Sequence, residues 1–158
     1  MADNSTLDAQ NRLTSKITAY NGTATAGNGM PAIVAYGRVT AQAAAVASIA
    51  AYTVGAADAS FEVSANVLIT TATTHTFTLT CAYTDEGNSA RTLTLTFGLV
   101  AGGVATTSIT NTNGAVPYHG VPVCIRCKAG TTITIASAAG GTYTTVAYNA
   151  EGIIRQLA

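Results

Sequence analysis

The chain has 158 residues, of which 9% are charged, with seven basic and seven acidic side chains and a formal net charge of zero. Roughly 25% charged is usual for a soluble domain. There is neither the basic footprint of a nucleic-acid binder nor the polybasic cluster that anionic membranes attract, so no nucleic acid and no membrane is expected as a partner.

The length suits about one domain, large enough to bury a core without staples. Its 48% apolar content does not gather into a spanning helix, which needs about 20 mostly apolar residues in succession. The densest window, residues 39–54, is mostly alanine and is interrupted by Thr40, Gln42, Ser48 and Thr53. The start, MADNSTLDAQNRLTSK, is polar and lacks the apolar centre of a secretory leader. The expectation is synthesis in a cytoplasm. Near-zero net charge favours association, so much of the surface is expected to be covered by copies of the chain or by a partner.

Residues 1–30 are polar and rich in Asn, Thr and Gly, with Asp3, Asp8, Arg12 and Lys16 among the first sixteen. They read as an extended N-terminal arm ahead of a domain spanning 31–158. Either it is a loose tail, as termini often are, or it orders on a partner.

From Pro31 the apolar period is two. SFEVSANVLITT puts Phe61, Val63, Ala65, Val67 and Ile69 on one face. THTFTLTCAYT does so with Phe77, Leu79, Cys81 and Tyr83, and RTLTLTFGLV with Leu93, Leu95, Phe97 and Leu99. Such alternation marks strands with one buried and one wetter face. Threonine suits the wetter face, being β-branched and hydroxylated. Further strands are expected at residues 32–39, 48–54, 121–128, 131–136 and 142–154, separated by Gly- and Pro-rich turns. The expected fold class is all-β, an antiparallel β-sandwich of about eight strands, jelly-roll-like. The stretch TAQAAAVASIAA is ambiguous: alanine favours helix, whereas a strand of small residues would admit a close neighbour.

TDEGNS is a hairpin signal. Odd-numbered core residues share a face only if paired positions have an even sum. Asp85 opposite Ser89 satisfies this with a three-residue loop, Thr84 opposite Ala90 with five; a four-residue loop would turn one strand's core residues outward.

Cys124 and Cys127 form a Cys-x-x-Cys spacing. A redox pair of this kind usually opens a helix, yet VPVCIRC alternates like a strand, and positions three apart on a strand face opposite sides. Cys127 is expected with Val121, Val123 and Ile125, and Cys124 with Arg126. A structural zinc site needs four ligands; Cys81, His75 and His119 are the only extras, and no second paired motif exists. Structural thiols are the simpler reading, and an odd count of three fits reduced thiols better than a disulfide framework.

No active site stands out. Asp85 and Glu86 sit together at a hairpin tip, where a solvated turn is simpler than a catalytic pair converging across a cleft. Glu62 is expected on the outer face, exposed or paired with an arginine of a neighbouring strand. Glu151 lies near Arg155 in YNAEGIIRQLA, for a salt bridge or an inter-subunit contact. Asp58 marks a turn. His75 and His119 lack a Gly-x-Ser-x-Gly elbow, and no glycine-rich stretch has the pattern of a phosphate loop. No catalytic, cofactor-binding or metal residue is assigned, and no cofactor is expected. Tyr36, Tyr52, Tyr143 and Tyr148 read as sheet residues, whereas Tyr118 and His119, in a protruding loop over residues 115–121, are placed to touch a sugar or protein.

GNGMPAIVAYGR, CAYTDEGNSARTLTLTFGLV, VPYHGVPVCIRCKAGTTITIAS and the ending YNAEGIIRQLA resemble small virion proteins of tailed bacteriophages, over about residues 28–158. The resemblance implies a capsid decoration (cement) protein or head-fibre component, a homotrimer of β-sandwich subunits whose arm anchors to the major capsid protein. The implied location is the capsid surface of a virion, after synthesis in the host cytoplasm. The alternative reading is a receptor- or glycan-binding knob of a phage fibre or tail.

Overall fold

The computed structural model describes residues 31–71, 76–98, 116–140 and 147–157. The proposed arm, His75, Leu99 and Tyr143 lie outside them. The described residues form ten strands: β1 (Ala32–Gln42), β2 (Ala50–Thr53), β3 (Ala59–Ile69), β4 (Thr76–Thr84), β5 (Ala90–Thr94), β6 (Phe97–Gly98), β7 (Val116–Gly120), β8 (Val123–Cys127), β9 (Thr132–Gly140) and β10 (Tyr148–Gln156). They build two antiparallel sheets. The larger runs β1-β10-β3-β7-β6, with β8 also on β3; the smaller runs β2-β9-β4-β5.

The winding reads as one long hairpin rolled up. β4 pairs with β5, β3 with β8 and β7, β2 with β9, and β1 with β10. The roll closes where β10 meets β3 and β4 meets β9. Two sheets wound in this way are a jelly roll.

The described strands number ten rather than eight because the run RTLTLTFG divides into β5 and β6, and because β7 stands where a loop is expected. β7 and β8 lie end to end along the same edge of β3, covering Asn66–Ile69 and Ala59–Val63 respectively. Between them stands Pro122, which has no N–H to give a ladder. β5 and β6 are also successive halves of one run: after Thr94 the chain leaves the smaller sheet, Leu95 N–H donates to the Leu79 carbonyl (2.8 Å), and Phe97–Gly98 pair with β7. Within the expected loop at residues 115–121, Val116–Gly120 are therefore corrected to strand β7. Proline signals disguise it, yet Pro117 pairs with Leu68 within the β3–β7 ladder.

The core lies between the sheets. Phe61, Val63, Ala65, Val67 and Ile69 are all at most 2% exposed. Leu79, Cys81, Leu95, Phe97, Ile133, Ile135 and Ile154 meet them. Each large side chain so buried stabilises by about 1.5–3 kcal/mol. Gly37 marks a close approach, since a Cβ there would overlap the carbonyl oxygen of Ile49.

The alanine-rich stretch is neither a helix nor a long strand. β1 ends at Gln42, β2 begins at Ala50, and the backbone between is tied to the sheets. Val46 N–H donates to Ser137 Oγ (2.7 Å), Ser137 N–H to the Val46 carbonyl (2.9 Å), and Ile49 N–H to the Ile135 carbonyl (2.7 Å). The buried Tyr148 hydroxyl lies 2.8 Å from Ser137 Oγ and donates to the Ala44 carbonyl at 2.7 Å. Those backbone groups are engaged across the sandwich rather than within a helix, which outweighs alanine's propensity.

The hairpin is the three-residue form. Asp85 N–H donates to the Ser89 carbonyl and Asn88 N–H to the Asp85 carbonyl, both at 2.9 Å, and Asn88 is left-handed with φ 63°. Asparagine tolerates that conformation better than most residues.

Tyr148→Phe should keep the fold but lower unfolding stability by about 1–3 kcal/mol, because Ser137 and the Ala44 carbonyl lose a buried partner. Urea denaturation followed by circular dichroism measures it; an unchanged midpoint would remove this network from the account of residues 43–49.

Candidate functional site

Strand alternation sends one side-chain set of each sheet into the core and the other outward. The two outward faces differ.

On the smaller sheet the outward rows whose side chains are described hold threonine and alanine. Ala51 pairs with Thr134, Thr134 with Ala82, and Ala82 with Thr92. The next rows hold Ala136, Thr80 and Thr94, then Ala138 and Thr78, with Thr53 and Thr132 on the other side. No charged residue interrupts these rows.

The larger sheet presents charge and shape. One row crosses four strands: Arg38 pairs with Glu151, Glu151 with Asn66, and Asn66 with His119. The adjacent row holds Asn149, Leu68 and Pro117. Together the two rows line a groove of 220 Å³. Arg38 Nε stands 3.5 Å from Glu151 Oε1, longer than a charge-assisted hydrogen bond of about 2.7–2.9 Å. Asn66 Oδ1 accepts from Gly120 N–H (3.3 Å) and Asn149 Oδ1 from Ala41 N–H (2.8 Å). Both amide oxygens are thereby committed, and each NH₂ is left as the donor. Tyr36, 56% exposed, stands two residues before Arg38 on the same outward face of β1.

The structure separates Tyr118 from His119. Tyr118 is paired with Val67, points into the core and is 6% exposed, while His119 is exposed in the groove. The expectation that both reach outward from one loop is corrected: adjacent strand residues face opposite ways. Sequence reading missed Arg38, Asn66, Leu68, Pro117 and Asn149. Each is an ordinary outward strand residue, and only strand order sets them side by side.

Among the described residues, the acidic side chains resolve into structural pairs. Glu62 bonds Arg155 of the neighbouring strand (2.9 Å), as its position predicts. Glu151 takes Arg38 rather than Arg155. Asp58 Oδ1 accepts from Ala129 N–H at 2.8 Å. At the hairpin tip Asp85 accepts from Ser89 N–H (2.8 Å) and Arg91 (2.7 Å), which together hold its carboxyl below its ordinary range. Glu86 pairs with Arg126, and Lys128 Nζ donates to Asn88 Oδ1 (3.0 Å), tying the tip to β8. Asp85 also forms a β-bridge with Cys127, so the smaller sheet touches the larger there.

The cysteines separate as the strand pattern requires. Cys124 is exposed, Cys81 and Cys127 are buried, and all three are free thiols. Val121 departs from its expected face, at 44% exposed, because it falls in the break between β7 and β8. Burial pushes the Cys81 thiol up to about 12, with Cys127 adding to it, and Cys127 itself up to about 11. Such thiols are poor nucleophiles. Among the described residues no group of three or more His, Cys, Asp or Glu is placed to hold a metal ion.

No family model matches the chain, and no curated protein is significantly similar to it. Among solved structures it is similar to the CBM22-1–GH10 modules of Clostridium thermocellum endo-1,4-β-D-xylanase 10B complexed with xylohexaose, at 14% identity and TM-score 0.32 over 68% of this chain. It is also similar to infectious bursal disease virus Gx strain, at 13% identity and TM-score 0.21 over 81% of this chain. The chain spans 19% and 41% of those two chains. Likeness at these scores carries no argument about function.

In the native protein iodoacetamide should label Cys124 alone; in denaturant all three cysteines should react. Peptide mass spectrometry distinguishes the outcomes, and rapid native labelling of Cys81 would contradict its burial. Both buried thiols have folded pKa values above the ordinary 9.0. The folded state therefore holds protons that the unfolded state releases, and the stability this represents is full below pH 9 and is lost as pH rises toward 11–12. A Cys81→Ala, Cys127→Ala variant should show a shallower fall in urea midpoint over that range.

Proposed function

We propose that the chain is a non-catalytic structural protein of a virus particle, a decoration or cement protein on the capsid of a tailed bacteriophage. The observation that carries the proposal is the uncharged threonine and alanine face of the smaller sheet. Such a face offers hydroxyls and methyl groups in flat rows and no charge to desolvate, so it costs little to cover. It suits repeated contact with copies of the chain or with a shell subunit. The jelly-roll winding, the near-zero net charge and the resemblance of the sequence to phage virion proteins support the same reading.

Under this reading the protein is a homotrimer and its partner is the major capsid protein. Residues 1–30 add a second attachment in each subunit. Three arms joined through one trimer raise the effective concentration of each, so individually weak contacts hold.

Native mass spectrometry should find a trimer of the 15.8 kDa chain. Thr134→Arg, placed in the middle of the uncharged face, should shift the mass to monomer without moving the unfolding midpoint by more than about 0.5 kcal/mol. Deleting residues 2–30 should leave a folded trimer that no longer co-sediments with capsids. A wild-type monomer that binds no capsid would overturn the reading, and full capsid binding by the deletion variant would remove the arm from it.

A further inference from the structure

We infer that the groove on the outward face of the larger sheet is a binding site for a neutral carbohydrate, with Tyr36 as the stacking surface beside it. This goes beyond the capsid role, since it concerns the opposite face of the sandwich.

The chemistry of the lining narrows the ligand. Arg38 and Glu151 offset each other's charge in one row, so neither an anion nor a cation gains a net attraction from the pair. Their 3.5 Å separation leaves guanidinium N–H groups and carboxylate lone pairs for further bonds. The Asn66 and Asn149 amides are oriented, because each oxygen is held by a backbone N–H and each NH₂ remains to donate. His119 adds ring nitrogens from the far side. The site therefore offers several donors beside a carboxylate acceptor, on a rigid sheet. A ligand that uses both must carry groups that donate and accept, and adjacent hydroxyls do so with no net charge.

The shape points the same way. Leu68 and Pro117 supply apolar contacts beside the polar row, and the C–H faces of a sugar ring need such a surface. At 220 Å³ the groove is below the about 300–1,000 Å³ of sites for drug-sized ligands. It fits one sugar ring, with the remainder of a chain lying along the sheet. Tyr36 stands on the same face, 56% exposed, where its flat ring would take the next ring in line. An exposed tyrosine on an edge strand gives contact area at small entropic cost, since only two side-chain torsions are fixed.

The test uses the full-length protein on a glycan array containing neutral hexasaccharides of glucose, mannose and xylose alongside sialylated and sulfated glycans. Hits are followed by titration calorimetry with the free oligosaccharide. Binding to one or more neutral glycans is expected. Tyr36→Ala and His119→Ala should each weaken it at least tenfold with unchanged unfolding midpoint, and Glu151→Gln should weaken it by leaving Arg38 without its counter-charge. Binding confined to charged glycans, no binding at all, or undiminished binding by both Tyr36→Ala and His119→Ala would each overturn the inference. Thr134→Arg alters only the other face and should leave glycan binding per subunit unchanged, so failure of the assembly reading and failure of this one are told apart.

Discussion

Strand β3 sets the rest of the molecule. Its five inward residues are at most 2% exposed, and it is paired by β10 over Phe61–Ile69 on one side and by β8 (Ala59–Val63) and β7 (Asn66–Ile69) on the other. A slip of one residue would drive Glu62, Ser64 and Asn66 into the core and expose Phe61 and Val63 to water. That penalty is several times the about 1 kcal/mol of a single hydrogen bond. The register of β3 is therefore strongly specified, and through it the registers of its neighbours. The groove inherits its geometry from the same source, since Asn66 and Leu68 are the outward complements of Ala65, Val67 and Ile69.

The two outward faces illustrate how one fold supports two kinds of surface. Threonine and alanine on the smaller sheet leave a plane without charge. The larger sheet carries the ion pairs Arg38–Glu151 and Glu62–Arg155, both between adjacent strands. Partly exposed pairs of this kind contribute little to stability; what they do is orient side chains. The contrast has a simple physical consequence. A face without charges can be covered without stripping water from ions, whereas a face with charges and oriented amides stays wet or takes a polar ligand.

Local pattern carried much of the fold. The alternation in SFEVSANVLITT, the threonine-spaced strands and the even-sum rule at Asp85–Ser89 each depend on the period of two or on a turn of a few residues. The opposite fates of Cys124 and Cys127 follow from the same period. Where local rules competed with tertiary ones, they lost. Alanine propensity across residues 43–49 is overridden by bonds from Ser137 and Tyr148, which lie about a hundred residues away in the chain. The prolines of VPYHGVP suggest a loop, yet Pro117 lies in strand β7, opposite Leu68 of β3. Glu151 could be matched with Arg155 by proximity in sequence, but the two are four apart in one strand, and Arg38 stands directly across the ladder.

The sequence by itself determined that the chain is a β-sandwich, which side chains of its clearly alternating strands enter the core, that the hairpin loop holds an odd number of residues, and the scarcity of charge that favours association. These follow from interactions among neighbours in the chain, where spacing alone fixes geometry. Only the tertiary structure decided that Arg38, Glu151, Asn66 and His119 form one row, that Tyr118 turns inward while His119 turns outward, and that Thr78, Thr80, Thr92, Thr94, Thr132 and Thr134 share one uncharged face. Strand order does this, and strand order comes from how a rolled hairpin best closes its core, which depends on every strand at once rather than on any one of them.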